Sequence, residues 1–253
     1  MESGIDVIGD IAIVKLRPGS VGKEGQVAGA ILAEMKNVKC VFGQEGGVEG
    51  DFRLRKLRHL SGEKRTTTVH TENGIKLKLD VETCYFSPRL SSERLRIAKE
   101  VNPGEKVLNM FAGVGPYSIL IAKKTDVWSC ELNEEAFRFH EENNRTNKVE
   151  DRMEMIQADA FDLPNYLEGV SFDRILMPHP SRSNEFLQTA LTMLADKGVV
   201  HYYRHVTGQD EAEARGNLQR ELDGVGGLAV ESIRRVREVG PRYVELVAEL
   251  KAA

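Results

Sequence analysis

Cysteine is scarce: Cys40, Cys84 and Cys130 are the three in 253 residues, an odd number at wide spacing. They form neither a disulfide framework nor a zinc pattern, so no metal is expected and a reducing compartment suits the chain. Long apolar runs are missing too, since none approaches the roughly 20 residues of a membrane-crossing helix. The N-terminal stretch Met1–Asp10 lacks the basic start and apolar core of a secretory signal. These absences predict a cytoplasmic protein with no membrane partner. A strong net charge is absent as well: 35 Lys+Arg stand against 39 Asp+Glu, a formal −4, which argues against broad nucleic-acid binding by charge alone. Internal repeats and low-complexity tracts are likewise lacking.

The composition present is an ordinary globular one, 41% hydrophobic and 29% charged, in a chain long enough for a small domain joined to a typical α/β domain. The charge is uneven. Residues 1–80 hold 13 Lys+Arg against 11 Asp+Glu, and the remainder 22 against 28. Arg53, Arg55, Lys56, Arg58, His59, Lys64 and Arg65 cluster around a single acid, Glu63. Such a patch can neutralise several phosphates, or simply be a solvated face.

The pattern predicts strands over 10–16 and 38–42, a helix over 26–35, and a hairpin over 66–70 and 75–81 about the Asn73-Gly74 turn. A helix comes after Tyr85-Phe-Ser-Pro-Arg-Leu90. From Lys106 onward strands and helices alternate: strands over 107–111, 127–130, 153–157, 172–177, 198–203 and 243–250, helices over 118–124, 134–144, 185–194 and 211–221. That alternation predicts a largely parallel sheet covered on both faces, preceded by a small α+β domain. The expected domains are 1–84 and 85–253.

In open α/β sheets ligands sit beyond the carboxyl ends of the strands. Gly113 and Gly115 come after the first of these strands and let backbone approach a ligand. Glu131 ends the second strand, where a carboxylate can accept ribose hydroxyls, and Asp159 ends the third, where it can meet an adenine amine. A nicotinamide enzyme would use the same turn, but its third glycine would fall at Ser118. Acids at two successive strand ends match S-adenosylmethionine better.

Phe86-Ser-Pro-Arg-Leu-Ser-Ser-Glu-Arg94, Asn109-Met-Phe-Ala-Gly-Val-Gly-Pro-Tyr117 and His201-Tyr-Tyr203 resemble the archaeal and eukaryotic tRNA (guanine-37 N1)-methyltransferase family. Gly50-Asp-Phe-Arg53, the 66–80 hairpin and Asn147-Lys-Val-Glu-Asp151 extend the resemblance over nearly the whole chain. The superfamily also holds the wybutosine enzyme that transfers an aminocarboxypropyl group from the same cofactor. The resemblance implies a Rossmann-type class I methyltransferase sheet. It implies S-adenosylmethionine held by Arg94, Phe111, Gly113, Gly115, Pro116, Glu131, Leu132, Asp159, Ala160 and Met177, and a tRNA anticodon loop bearing guanosine 37 as substrate. No stable protein partner is implied. Three departures stand out. The family's extra domain that grips the tRNA elbow is not expected in this sequence. Glu131 is of wybutosine type, and Pro178-His179-Pro180 replaces Asn-Leu-Pro. Pro88-Arg-Leu90 and Val114-Gly-Pro116 are of methyltransferase type, which favours methyl transfer, with aminocarboxypropyl transfer the alternative.

Methylating N1 of neutral guanine requires removal of its proton while charge shifts to O6. By resemblance Glu93 is the base and Arg53 the O6 partner; from sequence alone Glu93 reads equally as a helix-start acid favoured by the dipole. Arg89 and Arg94 are expected to position the cofactor carboxylate, a phosphate or Glu93. Tyr85 and Tyr117 can stack on a flipped base or pack in the core. Pro178 and His179 are placed beside the target base, although a histidine between prolines also suits a structural role, as does His201.

Overall fold

A computed structural model describes residues 4–15 and 22–252, and the chain divides into two compact units. The first comprises residues 1–92, 113–116 and 133–148, the second the rest.

In the first unit β1 (Ile5–Ile8), β2 (Ile11–Lys15), β3 (Cys40–Glu49) and β4 (Leu54–Gly62) form a sheet in that order. The parallel β2–β3 pair is joined by α1 (Glu24–Glu34), whose Ala28 and Ile31 pack with Ala12, Val14 and Val41. The hairpin of β5 (Thr67–Glu72) and β6 (Ile75–Asp80) turns at Asn73 and Gly74, with φ 46° and 74°, the left-handed pair that a tight hairpin demands. Leu16, at the end of the first predicted strand, lies outside the described residues.

A helical turn at Pro88–Leu90 leads into α2 (Ser91–Glu100). Then come β7 (Val107–Asn109), α3 (Pro116–Ala122), β8 (Val127–Cys130) and α4 (Glu134–Asn147). Next are β9 (Met153–Ile156), α5 (Leu163–Tyr166), β10 (Phe172–Met177) and α6 (Ser183–Thr192). β11 (Leu194–Thr207), α7 (Glu211–Leu222), β12 (Leu228–Gly240) and β13 (Tyr243–Ala252) complete the chain. Of these, α4 belongs to the first unit, where Asn133 caps its start: Asn133 Oδ1 accepts from Glu135 N at 3.1 Å and its Nδ2 donates to Thr83 O at 2.8 Å.

The second unit is built on seven strands in the order β12-β13-β11-β10-β7-β8-β9. β11, β10, β7, β8 and β9 are parallel as expected, and Leu108, Ile175, Leu176, Met177 and Val200 are fully buried among them. The sheet is not parallel throughout. β13 runs antiparallel to both β11 and β12. β1, β4 and β12 are strands that the sequence pattern does not predict, and β7 ends two residues earlier than expected.

Candidate active site

Because β9, β8, β7 and β10 are parallel neighbours, their carboxyl ends share one edge of the sheet. Backbone bonds continue past those ends: Ala112 N to Cys130 O at 2.8 Å, Glu131 N to Ile156 O at 3.1 Å, and Met110 N to Leu176 O at 3.0 Å. Asn109, fully buried, braces the segment after β7: its Oδ1 accepts from Phe111 N at 3.3 Å and its Nδ2 donates to Ser118 Oγ at 3.0 Å. After β9, Asp159 Oδ1 accepts from Phe161 N at 3.0 Å, which turns the chain over a buried Ala160. Glu131 is half-buried and Leu132 exposed. Met177 is fully buried in the sheet core. Half-buried Pro178 comes next, and the His179 ring lies 5.2 Å from that of Phe111, which also meets Phe186 at 5.0 Å.

Between Ala112 and Tyr117 the chain belongs to the first unit. Gly113 and Gly115 have φ of 55° and 89°, where side chains are disfavoured. A Cβ on Gly115 would lie 2.2 Å from His140 Cδ2, whereas one on Gly113 would meet nothing closer than Tyr85 O at 3.9 Å. The turn therefore packs against α4 through Gly115 and carries no side chain at Gly113. Fully buried Asn143 fixes it further. Its Nδ2 donates to Val114 O and Lys78 O, each at 3.0 Å, and its Oδ1 accepts from Lys78 N at 2.7 Å. One amide thus ties the turn to β6. Burial alone pushes the His140 imidazole down to about 3.

In the second unit Glu93 opens α2 with its side chain 12% exposed. Arg96 grips it in a fork, Nη2 to Oε1 at 2.7 Å and Nε to Oε2 at 2.9 Å. Tyr203 donates its hydroxyl to Oε1 at 2.7 Å, and Tyr117 donates to the Tyr203 oxygen at 3.3 Å. Burial first, with Glu93 adding to it, holds the Tyr117 phenol above its ordinary range; burial, then Tyr117 and Glu93, do the same for Tyr203. Both phenols are therefore donors. Arg94 is buried.

Arg53, in the first unit, has φ 55° and sets its guanidinium 4.5 Å from the Tyr85 ring centre. It is buried, and its Nε has no hydrogen-bond partner among the described residues. Arg89 Nε donates to Asp6 Oδ1 at 2.7 Å.

The basic cluster is not an open patch. Arg55 is buried against Asp6 at 3.2 Å and Phe86 O at 3.1 Å. Arg58 pairs with Glu24 and Glu45, and Arg65 with Asp10 and Glu63. Lys56 and Lys64 remain exposed. Glu100, His201 and Glu249 bring one ligand atom each within 4.8 Å of one another. Two arginines already hold them: Arg96 Nη1 bonds Glu100 at 2.7 Å and Glu249 at 2.9 Å, and Arg174 Nη1 lies 2.5 Å from His201 Nε2. Arginines thus hold the group, and burial first, then Arg174 and Arg96, keep the His201 imidazole neutral within it.

Residues 68–220 match the TRM5/TYW2 methyltransferase domain, and residues 1–66 match the TYW2 N-terminal domain. The chain belongs to the TRM5/TYW2 family. It is 38% identical to the tRNA (guanine(37)-N(1))-methyltransferase Trm5b of Pyrococcus abyssi over 100% of this chain and 76% of that protein. It is 40% identical to the tRNA(Phe) (4-demethylwyosine(37)-C(7)) aminocarboxypropyltransferase of Pyrococcus horikoshii, over 79% of this chain and 70% of that one. The solved complex of aTrm5 with tRNALeu superposes with a TM-score of 0.88 at 31% identity, covering 99% of this chain and 72% of that one. TRM5/TYW2 proteins are S-adenosylmethionine-dependent tRNA-modifying enzymes, and both the family and the Rossmann-type fold expected from sequence are borne out. Sequence reasoning does not find His140 or Asn143, whose neighbours and partners lie on other elements, nor Arg96, whose bonds to Glu93 and Glu100 show in the sequence only as i,i+3 and i,i+4 spacings along α2.

Proposed function

We propose that this protein transfers the methyl group of S-adenosylmethionine to N1 of guanosine 37 in a tRNA anticodon loop, in the cytoplasm. The observation that carries the reading is Glu93, a largely buried carboxylate held in one orientation by Arg96 and Tyr203. A general base must be fixed within reach of its proton, and such a clamp does that. Arg53 suits O6: a buried guanidinium whose Nε lacks a partner favours an acceptor arriving with the substrate. Tyr85, beneath that guanidinium, offers a ring face to a flipped base, with Arg89, Pro178 and His179 the other substrate contacts proposed.

The cofactor fits the residues present. Gly113 puts no side chain at its point of the turn, where a nucleoside lying along the backbone would pass. Glu131 and Asp159 lie just past adjacent strand ends with carboxylates for ribose and adenine, and Phe111, Pro116, Leu132, Ala160 and Met177 are the apolar neighbours proposed, with Arg94 for the cofactor carboxylate. When bound, S-adenosylmethionine supplies an electrophilic methyl carbon on a cationic sulfur. In this reading residues 1–84 contact RNA and residues 85–253 bind the cofactor.

Pro88-Arg89-Leu90 and Val114-Gly115-Pro116 favour methyl over aminocarboxypropyl transfer. The test is incubation of unmodified tRNA transcript with cofactor labelled separately in the methyl and the aminocarboxypropyl portions. Methyl label is expected in the RNA; incorporation of the other label instead would overturn the assignment.

A further inference from the structure

A carboxylate offers about four lone-pair directions, two on each oxygen. Glu93 Oε1 accepts from Tyr203 and from Arg96 Nη2, whereas Oε2 accepts from Arg96 Nε alone among the described bonds. Resting on the reading of Glu93 as the base, we propose that Oε2 is the atom that takes the guanine proton, and that Arg96 and Tyr203 are positioning residues that set its direction and its basicity.

In this step the N1–H bond breaks and the proton passes to Oε2. The nitrogen pair forms the bond to the methyl carbon, and the carbon–sulfur pair leaves with sulfur as a neutral thioether. Two donors already load Oε1, so Oε2 keeps the free direction.

Arg96 is itself fixed from behind. Its Nη1 donates to Glu100 on α2 at 2.7 Å and to Glu249 on β13 at 2.9 Å, so one guanidinium serves three carboxylates. Burial works against that charge, but Glu93, Tyr203 and Glu100 outweigh it and hold Arg96 above its ordinary range. Among the described residues, the other charged and titratable groups that act electrostatically on this cluster are Arg94 on α2, Tyr117 on α3, Arg174 on β10, His201 on β11 and Glu245 on β13. Arg96 is the cation in direct contact with Glu93, so removing it strips the counter-charge from a carboxylate crowded by two others. The proton affinity of Glu93 must then rise.

The experiment is single-turnover methyl transfer to unmodified tRNA transcript at saturating S-adenosylmethionine, measured across pH. Ionisation of the guanine itself acts on every variant alike, so differences between profiles report on the base. Arg96→Gln is expected to move the acid limb upward by about one pH unit or more, the effect of losing an adjacent opposite charge. Arg96→Lys keeps the charge but cannot fork, so its limb should stay while its plateau falls about tenfold. Tyr203→Phe should shift the limb upward by less, and cofactor affinity should be unchanged throughout. Wild-type limb and plateau in both Arg96→Gln and Tyr203→Phe, with Glu93→Gln inactive, would overturn the clamp and leave the base standing. A Glu93→Gln enzyme of normal rate would instead overturn the base reading. Should Arg96→Gln fail to fold, an unmoved limb in Tyr203→Phe alone decides against the proposal.

Discussion

His140 illustrates how a single residue can govern a turn without leaving a mark in the sequence. Gly113 and Gly115 are legible, because glycines between a strand and a helix have a physical reason to be there. Nothing marks the histidine 25 residues later that fills the space where a Gly115 side chain would go. Along α4 the inward residues Ala136, Phe139, His140, Asn143 and Asn144 mix polar with apolar, since His140 and Asn143 serve the turn and β6 rather than an oily core. The ring is held neutral by burial, its folded pKa near 3 against an ordinary 6.5. The unfolded chain therefore binds a proton that the folded chain refuses between those values. Stability is full above about pH 6.5 and is lost as pH falls toward 3, by up to about 1.4 kcal/mol per unit. Urea unfolding at stepped pH should show that slope reduced in His140→Leu, which keeps the bulk and cannot titrate. An identical slope in the two proteins would mean that His140 is protonated in the folded state.

At the scale of elements, β4 shows why a strand can hide. Leu54, Leu57 and Leu60 stand three apart, a spacing that does not alternate. The register explains it: Val41 pairs with Ser61 and Phe42 with His59, so Leu60 is an extra residue, and Gly46-Gly47 are extra on β3 opposite Arg55 and Lys56. β12 is hidden in the same way, with three register shifts along its pairing to β13. On β4 the buried position is Arg55, just past the Gly46-Gly47 bulge, a residue that reads from sequence as surface charge. The fold turns it into a strut between Asp6 and the Phe86 carbonyl. Arg55→Ala should therefore act on stability, by about 3 kcal/mol, the lower end of the cost of breaking a buried pair, because Arg89 still holds Asp6. The slope of log tRNA affinity against log salt should hardly change, while Lys56→Ala with Lys64→Ala should shallow it by roughly one unit per lost phosphate contact. Chemical unfolding and a salt titration of binding check the two halves; a shallower slope without destabilisation in Arg55→Ala would return that residue to the surface.

Across the whole molecule, the alternation of strands and helices from residue 106 makes the parallel strands legible, and the order of their ends makes Glu131 and Asp159 legible with them. The antiparallel β12–β13 pair is not, because no period distinguishes an added edge hairpin from another crossover. The proposed function also pairs two residues far apart in the chain, Arg53 and Glu93. Deprotonating N1 while charge accumulates at O6 calls for one base and one cation serving a single event. Glu93→Gln keeps the shape but cannot take the proton, so single-turnover transfer should fall by about 10²–10⁴-fold. Cofactor affinity should be nearly unchanged, because the loss is confined to the transition state. Arg53→Ala should depress the same step, and the double variant should lose less than the product of the two single losses, as residues serving one event do. Fully multiplicative losses would show that Arg53 acts elsewhere, on binding or on folding of its own unit, and would leave O6 to another donor.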